Sequence, residues 1–137
     1  MTTAALLLAH LCGPGYAGLA YAAASAAQRW RVPVAVLVAM AYVESTCRPS
    51  AVGPRGGVGL LQVVPGTRAA HGHTAEELKN SRLNLALGAR HLRYWMDRCG
   101  DLEAALGVYA GHHTCRAGRE SGYSRRVLQL ANADMDP

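Results

Sequence analysis

Among the first 75 residues of this 137-residue chain the only acidic side chain is Glu44, near the C-terminal end of the most apolar run in the sequence. An unpaired carboxylate buried in such a helix is costly, and the negative end of the helix dipole adds to the cost, so both effects favour the protonated acid. Together they lift a carboxyl from about 4.3 toward roughly 6, the range of a general acid that cleaves a glycosidic bond. A structural ion pair with one of the many arginines is the alternative use of the same residue.

Other reactive side chains point away from metals and cofactors. Cys12, Cys47, Cys99 and Cys115 lack the paired spacing of a zinc site, and His71, His73, His112 and His113 have no metal-ligand partner at helical spacing. Exposed loop positions suit these histidines. The glycines between Cys47 and Gly59 do not form a phosphate-binding loop, because no Lys-Ser or Lys-Thr follows and no strand precedes them. Four cysteines in a small protein acting outside the cytoplasm permit two disulfides in three connectivities. Cys99 with Cys115 and Cys12 with Cys47 is the expected pairing, and four reduced thiols in a cytoplasmic chain is the alternative.

The elements that must position Glu44 are helical. Half of the residues are apolar and 17% are charged, Phe is absent, and no stretch alternates apolar with polar residues, which favours helices in one domain over a large sheet. The sequence predicts an Ala-rich helix over 16–31, ended by Val32-Pro33, and a buried helix over 34–46 with Pro33 in its first turn. Breakers over 47–59 predict a loop or short hairpin. Thr74-Ala75-Glu76-Glu77 reads as the start of a short helical segment. A long helix is predicted over 81–98, with Leu85, Ala89, Leu92 and Met96 on one face. Asp101 should cap a helix over 102–110, and the last helix, over 121–131, should turn Tyr123, Val127, Leu128 and Ala131 inward.

Residues 1–20 read as an N-terminal extension or possible leader. The apolar stretch over 4–11 is followed by small-residue sites at Ala20-Tyr21-Ala22 and Ala24-Ser25-Ala26, but no Lys or Arg precedes it, which favours a structured helix. It is too short to span a bilayer. Residues 132–137 read as a frayed tail.

The net charge is +5, and all but one of the fourteen cations are Arg, a balance that suits an anionic partner or simply a basic surface. These arginines are scattered from Arg29 to Arg126 with no basic run, recognition helix or stacking platform, so the anionic cell envelope ranks above nucleic acid, which is not expected.

Four blocks in one order carry a resemblance. Glu44-Ser45 is followed by a Gly-rich loop and then Gly59-Leu60-Leu61-Gln62-Val63-Val64-Pro65-Gly66-Thr67. Downstream come Asn84-Leu85-Ala86-Leu87-Gly88 with His91-Leu92, then Ala104-Ala105-Leu106-Gly107-Val108-Tyr109-Ala110-Gly111, then Ser121-Gly122-Tyr123 with Val127. The series resembles the catalytic domain of soluble lytic transglycosylases, of the lysozyme-like superfamily, with Leu61 standing for the family's Met. The resemblance implies a mainly α, lysozyme-like (α+β lysozyme superfamily) helical domain over 21–131, with a short Gly-rich loop or hairpin lining the groove.

It also implies roles. Glu44 is similar to the catalytic acid and base, Ser45 and Gln62 to residues facing the sugar groove, and Tyr109 and Tyr123 to the tyrosines around the acid; the alternatives are Ser45 capping or satisfying a helix end, Gln62 as a solvated loop residue, and the two tyrosines packed in the core with their hydroxyls at the surface. Where the family often has Tyr-Asn-Ala-Gly, this chain has Tyr109-Ala110-Gly111-His112; His112 is a candidate for the vacant polar position, against the exposed loop position that suits it as it does the other histidines. The implied reaction cuts the N-acetylmuramic acid to N-acetylglucosamine β-1,4 bond of peptidoglycan, leaving a 1,6-anhydro end, with no cofactor. A hydrolase like the g-type lysozymes, with Asp97 or Asp101 reaching the groove to activate water, is the nearest alternative. A noncatalytic wall-binding assembly protein is the other. The implied setting is the periplasm or cell wall, reached by export or phage delivery. The implied partner is the glycan strand, met by a monomer with no membrane span, in the context of a secretion, conjugation or phage assembly.

Overall fold

The computed structural model describes residues 2–133. It contains α1 (Thr3–Cys12), α2 (Ala20–Trp30), α3 (Val34–Ser45), α4 (Ser81–Cys99), α5 (Leu102–Tyr109), α6 (Cys115–Arg119) and α7 (Gly122–Ala133), joined in part by short 3-10 segments. The chain is mainly helical, as its composition predicts.

α3 is the axis. Its run from Val36 to Ala41 is buried on every side, with Leu37 and Met40 wholly excluded from solvent. Each such side chain contributes roughly 1.5–3 kcal/mol through the area taken from water. Around it pack Leu7 and Leu8 of α1, Ala23, Ala26 and Ala27 of α2, Leu85, Ala89 and Leu92 of α4, Leu106 of α5 and Val127 and Ala131 of α7. The alanines of α2 let its axis approach closely. The Val32-Pro33 break sends α3 back across α2, and Arg31, in the left-handed region at φ 55°, closes α2 as its N–H and that of Val32 both bond to Ala27 O.

The local stop and start signals act as written. Thr74 and Glu77 form a reciprocal capping box, each backbone N–H bonded to the other's side chain at 2.9 and 3.2 Å. Asp101 caps α5 through Ala104 N at 2.7 Å.

The structure refines the reading at three places. The Ala-rich helix begins at Ala20, because Pro14–Leu19 wind as a 3-10 segment in which Gly15 and Gly18 weaken the α form. Of the loop or short hairpin expected over 47–59, the structure shows the loop. Among the described residues it holds only the isolated antiparallel bridges Val52 to Val58 and Val58 to Val63. α6 was not predicted, since five residues including Gly118 carry no readable period; Thr114 caps it through Ala117 N at 3.0 Å. A Cβ on Gly107 or Gly118 would strike the other helix's backbone, so α5 and α6 meet main chain to main chain.

Two disulfides staple the bundle. Cys99–Cys115 ties the end of α4 to the start of α6, and Cys12–Cys47 ties α1 to the turn after α3. Closing a loop of about 15 residues disfavours the unfolded chain by about 3 kcal/mol. α7 runs to Ala133, and the rest of the expected tail, 134–137, lies outside the described residues. Among the described residues no helix is long and apolar enough to cross a membrane.

Candidate functional site

Glu44 lies in the last turn of α3, where the chain turns sharply. Thr46 and Cys47 take left-handed φ values of 48° and 64°, and their N–H groups bond back to Tyr42 O and Ala41 O at 2.9 and 3.1 Å. The loop that follows is thereby folded over the helix end. Between it and the α5 to α7 side opens a cleft of about 490 Å³, lined by Glu44, Arg55, Gln62, Val64, Tyr109 and Tyr123.

Burial pushes the Glu44 carboxyl up from its ordinary 4.5 to about 7, opposed by the Tyr123 hydroxyl, which donates to Oε2 at 3.0 Å, and by the Arg55 charge. A group so placed is half protonated near neutrality, and the end of α3 points its negative dipole at it. Burial and, secondarily, Glu44 push both Tyr109 and Tyr123 well above their ordinary value, so each stays a phenol. Tyr123→Phe removes a bond that favours the charged form, so the Glu44 midpoint should move above about 7. A carboxyl carbon NMR titration reads this directly; an unchanged or lower midpoint would contradict the assigned geometry.

The loop is held by buried polar groups. Asn84 of α4, wholly excluded from solvent, accepts from Leu61 N and donates to Val58 O and Leu78 O, all at 2.8 Å. Its amide thus makes three bonds to backbone groups, of which only Val58 O has a second partner, Val63 N–H. Gln62 takes φ 50° and its amide nitrogen donates to Ala51 O at 3.2 Å and Gly59 O at 3.0 Å. Its side chain lies so close over Gly53 and Gly57 that neither position has room for a Cβ. Tyr109 OH donates to Leu61 O at 2.6 Å, fixing the loop to α5.

Of the residues singled out from sequence, Glu44, Gln62, Tyr109 and Tyr123 come together on this cleft. Ser45 does not. It is 3% exposed and its hydroxyl lies 2.9 Å from both Ala41 O and Leu60 O, so it joins helix to loop instead of facing the groove. One residue along a helix is a rotation of about 100°, which carries Ser45 from the cleft into the core. Asp97 pairs with Arg93 at 3.0 Å, and Asp101 caps α5 and pairs with Arg119 at 2.6 Å; neither lines the cleft. His112 is exposed and also absent from the lining.

The polar position for which His112 is a candidate is met from across the cleft. Arg55 Nη1 donates to Ala110 O at 2.9 Å and lies against Gly111, whose φ of 115° and lack of a Cβ make room for it. Nothing in the sequence marks Arg55, an exposed cation in a Gly-Pro loop. Asn84 was legible as a motif letter, and a lone amide among apolar helix positions must find partners wherever it is buried.

A family model described as Transglycosylase SLT domain matches residues 21–126. No curated protein matches the chain.

Proposed function

Because the chain belongs to the Transglycosylase SLT domain family, whose members degrade peptidoglycan, we propose that it is a lytic transglycosylase with Glu44 as the single acid and base. The observation that carries this reading is the lining of the cleft: among the described residues Glu44 is its only carboxylate, and it is held near half protonation.

Most glycosidases that use water rely on a second carboxylate, as nucleophile or base. Here Asp97 and Asp101 are engaged elsewhere. In the proposed course, Glu44 gives its proton to the oxygen linking N-acetylmuramic acid to N-acetylglucosamine, while the muramoyl N-acetyl group assists at the anomeric carbon. The carboxylate so formed is stabilised by the Tyr123 hydroxyl and then takes the proton of the C6 hydroxyl, which closes the 1,6-anhydro ring. Tyr109 and Gln62 shape the groove by holding the loop, and residues 1–20 form an extension outside the matched domain. Two disulfides favour work outside the cytoplasm, at the cell wall or in the periplasm.

A well-oriented intramolecular hydroxyl has an effective molarity reaching about 10⁵ M or more, so it should outrun water. Muropeptides released from purified peptidoglycan are expected to end in 1,6-anhydro-N-acetylmuramic acid, one water lighter than hydrolysed ends and resistant to borohydride. Mass spectrometry of the digest decides it. Reducible muramic acid as the main end group would make the protein a lysozyme, and binding without any released fragment would make it a noncatalytic wall binder.

A further inference from the structure

A second cavity, of about 500 Å³, lies between α4 and residues 68–72 and is lined by Arg68, His71, Leu87, Arg90, His91 and Tyr94. It matches the Glu44 cleft in size and differs from it in charge: among the described residues, no carboxylate lines it. Arg68 lies 4.6 Å over the Tyr94 ring and Arg90 5.6 Å from the Trp30 ring. These contacts orient the guanidinium groups but give their N–H groups no oxygen acceptor. Among the described residues neither enters an ion pair, whereas Arg93 and Arg119 are matched with Asp97 and Asp101.

Two oriented, unpaired guanidinium groups beside one cavity call for an acceptor-only ligand, and the planar fork of Arg fits a carboxylate with two parallel bonds. The wall behind them is firm. Burial, aided by the Arg68 charge, holds His91 at about 4, so the ring is neutral near pH 7 while its Nε2 accepts from Trp95 Nε1 at 3.2 Å. The His91 ring lies 5.4 Å from the ring of Tyr109, which lines the Glu44 cleft. The cavity and the cleft are thus separated by two packed rings.

We propose that this cavity is a second binding site, for a carboxylate of the stem peptide borne by the glycan strand whose sugars occupy the Glu44 cleft. The proposal rests on the reading of that cleft as the site of glycan cleavage. The muramoyl lactyl group carries a short acidic peptide, so a sugar held at Glu44 brings carboxylates alongside. Selection of peptide-bearing over stripped strands is the consequence.

Two measurements test it, and the first needs no turnover. Titration of the isolated L-alanyl-γ-D-glutamyl stem peptide into the wild-type protein, followed by amide NMR, should shift resonances of residues 68–72 and of α4. Arg68→Gln and Arg90→Gln should each weaken that binding by about tenfold, and added salt should weaken it further, while Arg125→Gln should not. In the second, kcat/KM on peptide-bearing strands should fall by about tenfold in either variant, through KM, with little change on the same strands stripped by an amidase. No peptide binding to the wild type, tighter binding of inorganic phosphate than of the peptide, or equal losses on both strands would overturn the proposal. Absence of cleavage of either strand by the wild type would instead remove the Glu44 reading, leaving the peptide titration to decide the cavity.

Discussion

Glu44→Gln is expected to leave a folded protein and to lower peptidoglycan lysis by a factor on the order of 10² to 10⁴ or more, the loss that follows removal of a positioned general acid. Gln keeps the shape of the side chain and an oxygen able to accept from Tyr123 OH, which lies 3.0 Å from Glu44 Oε2. Only the titrating proton is lost.

The same variant should report on stability with a definite sign. In the folded protein the Glu44 pKa is raised from 4.5 to about 7, so folding disfavours the carboxylate. Below pH 4.5 the acid is neutral in both states and nothing is lost; as pH rises through about 7 the folded state gives up stability. Gln never ionises. The variant should therefore match the parent near pH 4 and exceed it above pH 7, by up to about 3 kcal/mol. Thermal melts at both pH values, beside a turbidity assay, separate lost chemistry from lost structure. A folded variant keeping more than a tenth of parental activity would remove Glu44 from the mechanism.

Asn84→Leu is expected to be the most destabilising single substitution around the site. The swap is nearly conservative in volume, but it leaves Leu61 N–H and the Leu78 carbonyl without partners in a region closed to water, and takes from Val58 O one of its two donors, the other being Val63 N–H. An unsatisfied buried group costs about 1–3 kcal/mol, so a loss of about 3–5 kcal/mol is expected after partial relaxation. For a chain of this size that is a Tm drop on the order of 10–20 °C. Because Leu61 precedes Gln62 and accepts from Tyr109 OH, residual activity should show a raised KM. Asn84→Asp should not rescue it, since an ionised carboxylate accepts from Leu61 N but has no proton for the two carbonyls. A variant melting within a few degrees of the parent would show that the loop is held by other means.

The helices and the acid could be read from local order. Val34 to Ser45 is apolar on every side, and a segment of that kind must lie inside; Val32-Pro33, Asp101 and the Thr74 to Glu77 box mark ends through groups a few residues apart. A lone Glu in such a helix is conspicuous because burial makes charge costly, and that cost is what raises it to about 7. Short elements escaped, as α6 did, because five residues hold too little of a period.

What surrounds the acid was decided by the tertiary structure. Tyr123 reaches Glu44 across 79 positions, Arg55 reaches Ala110 across 55, and Asn84 reaches Val58 across 26. Such contacts depend on how rigid helices dock, and periodicity along one helix carries no record of what another brings to its end. Ser45 and Glu44 are neighbours in sequence, and only the docking of the Gly-rich loop on α3 turned one hydroxyl onto Leu60 O and left the other side chain facing the cleft. The sequence determined that a protonatable carboxyl would sit at the end of a buried helix; the fold determined that, among the described residues, it would be the single carboxylate lining the cleft, because Asp97 and Asp101 found their cations elsewhere.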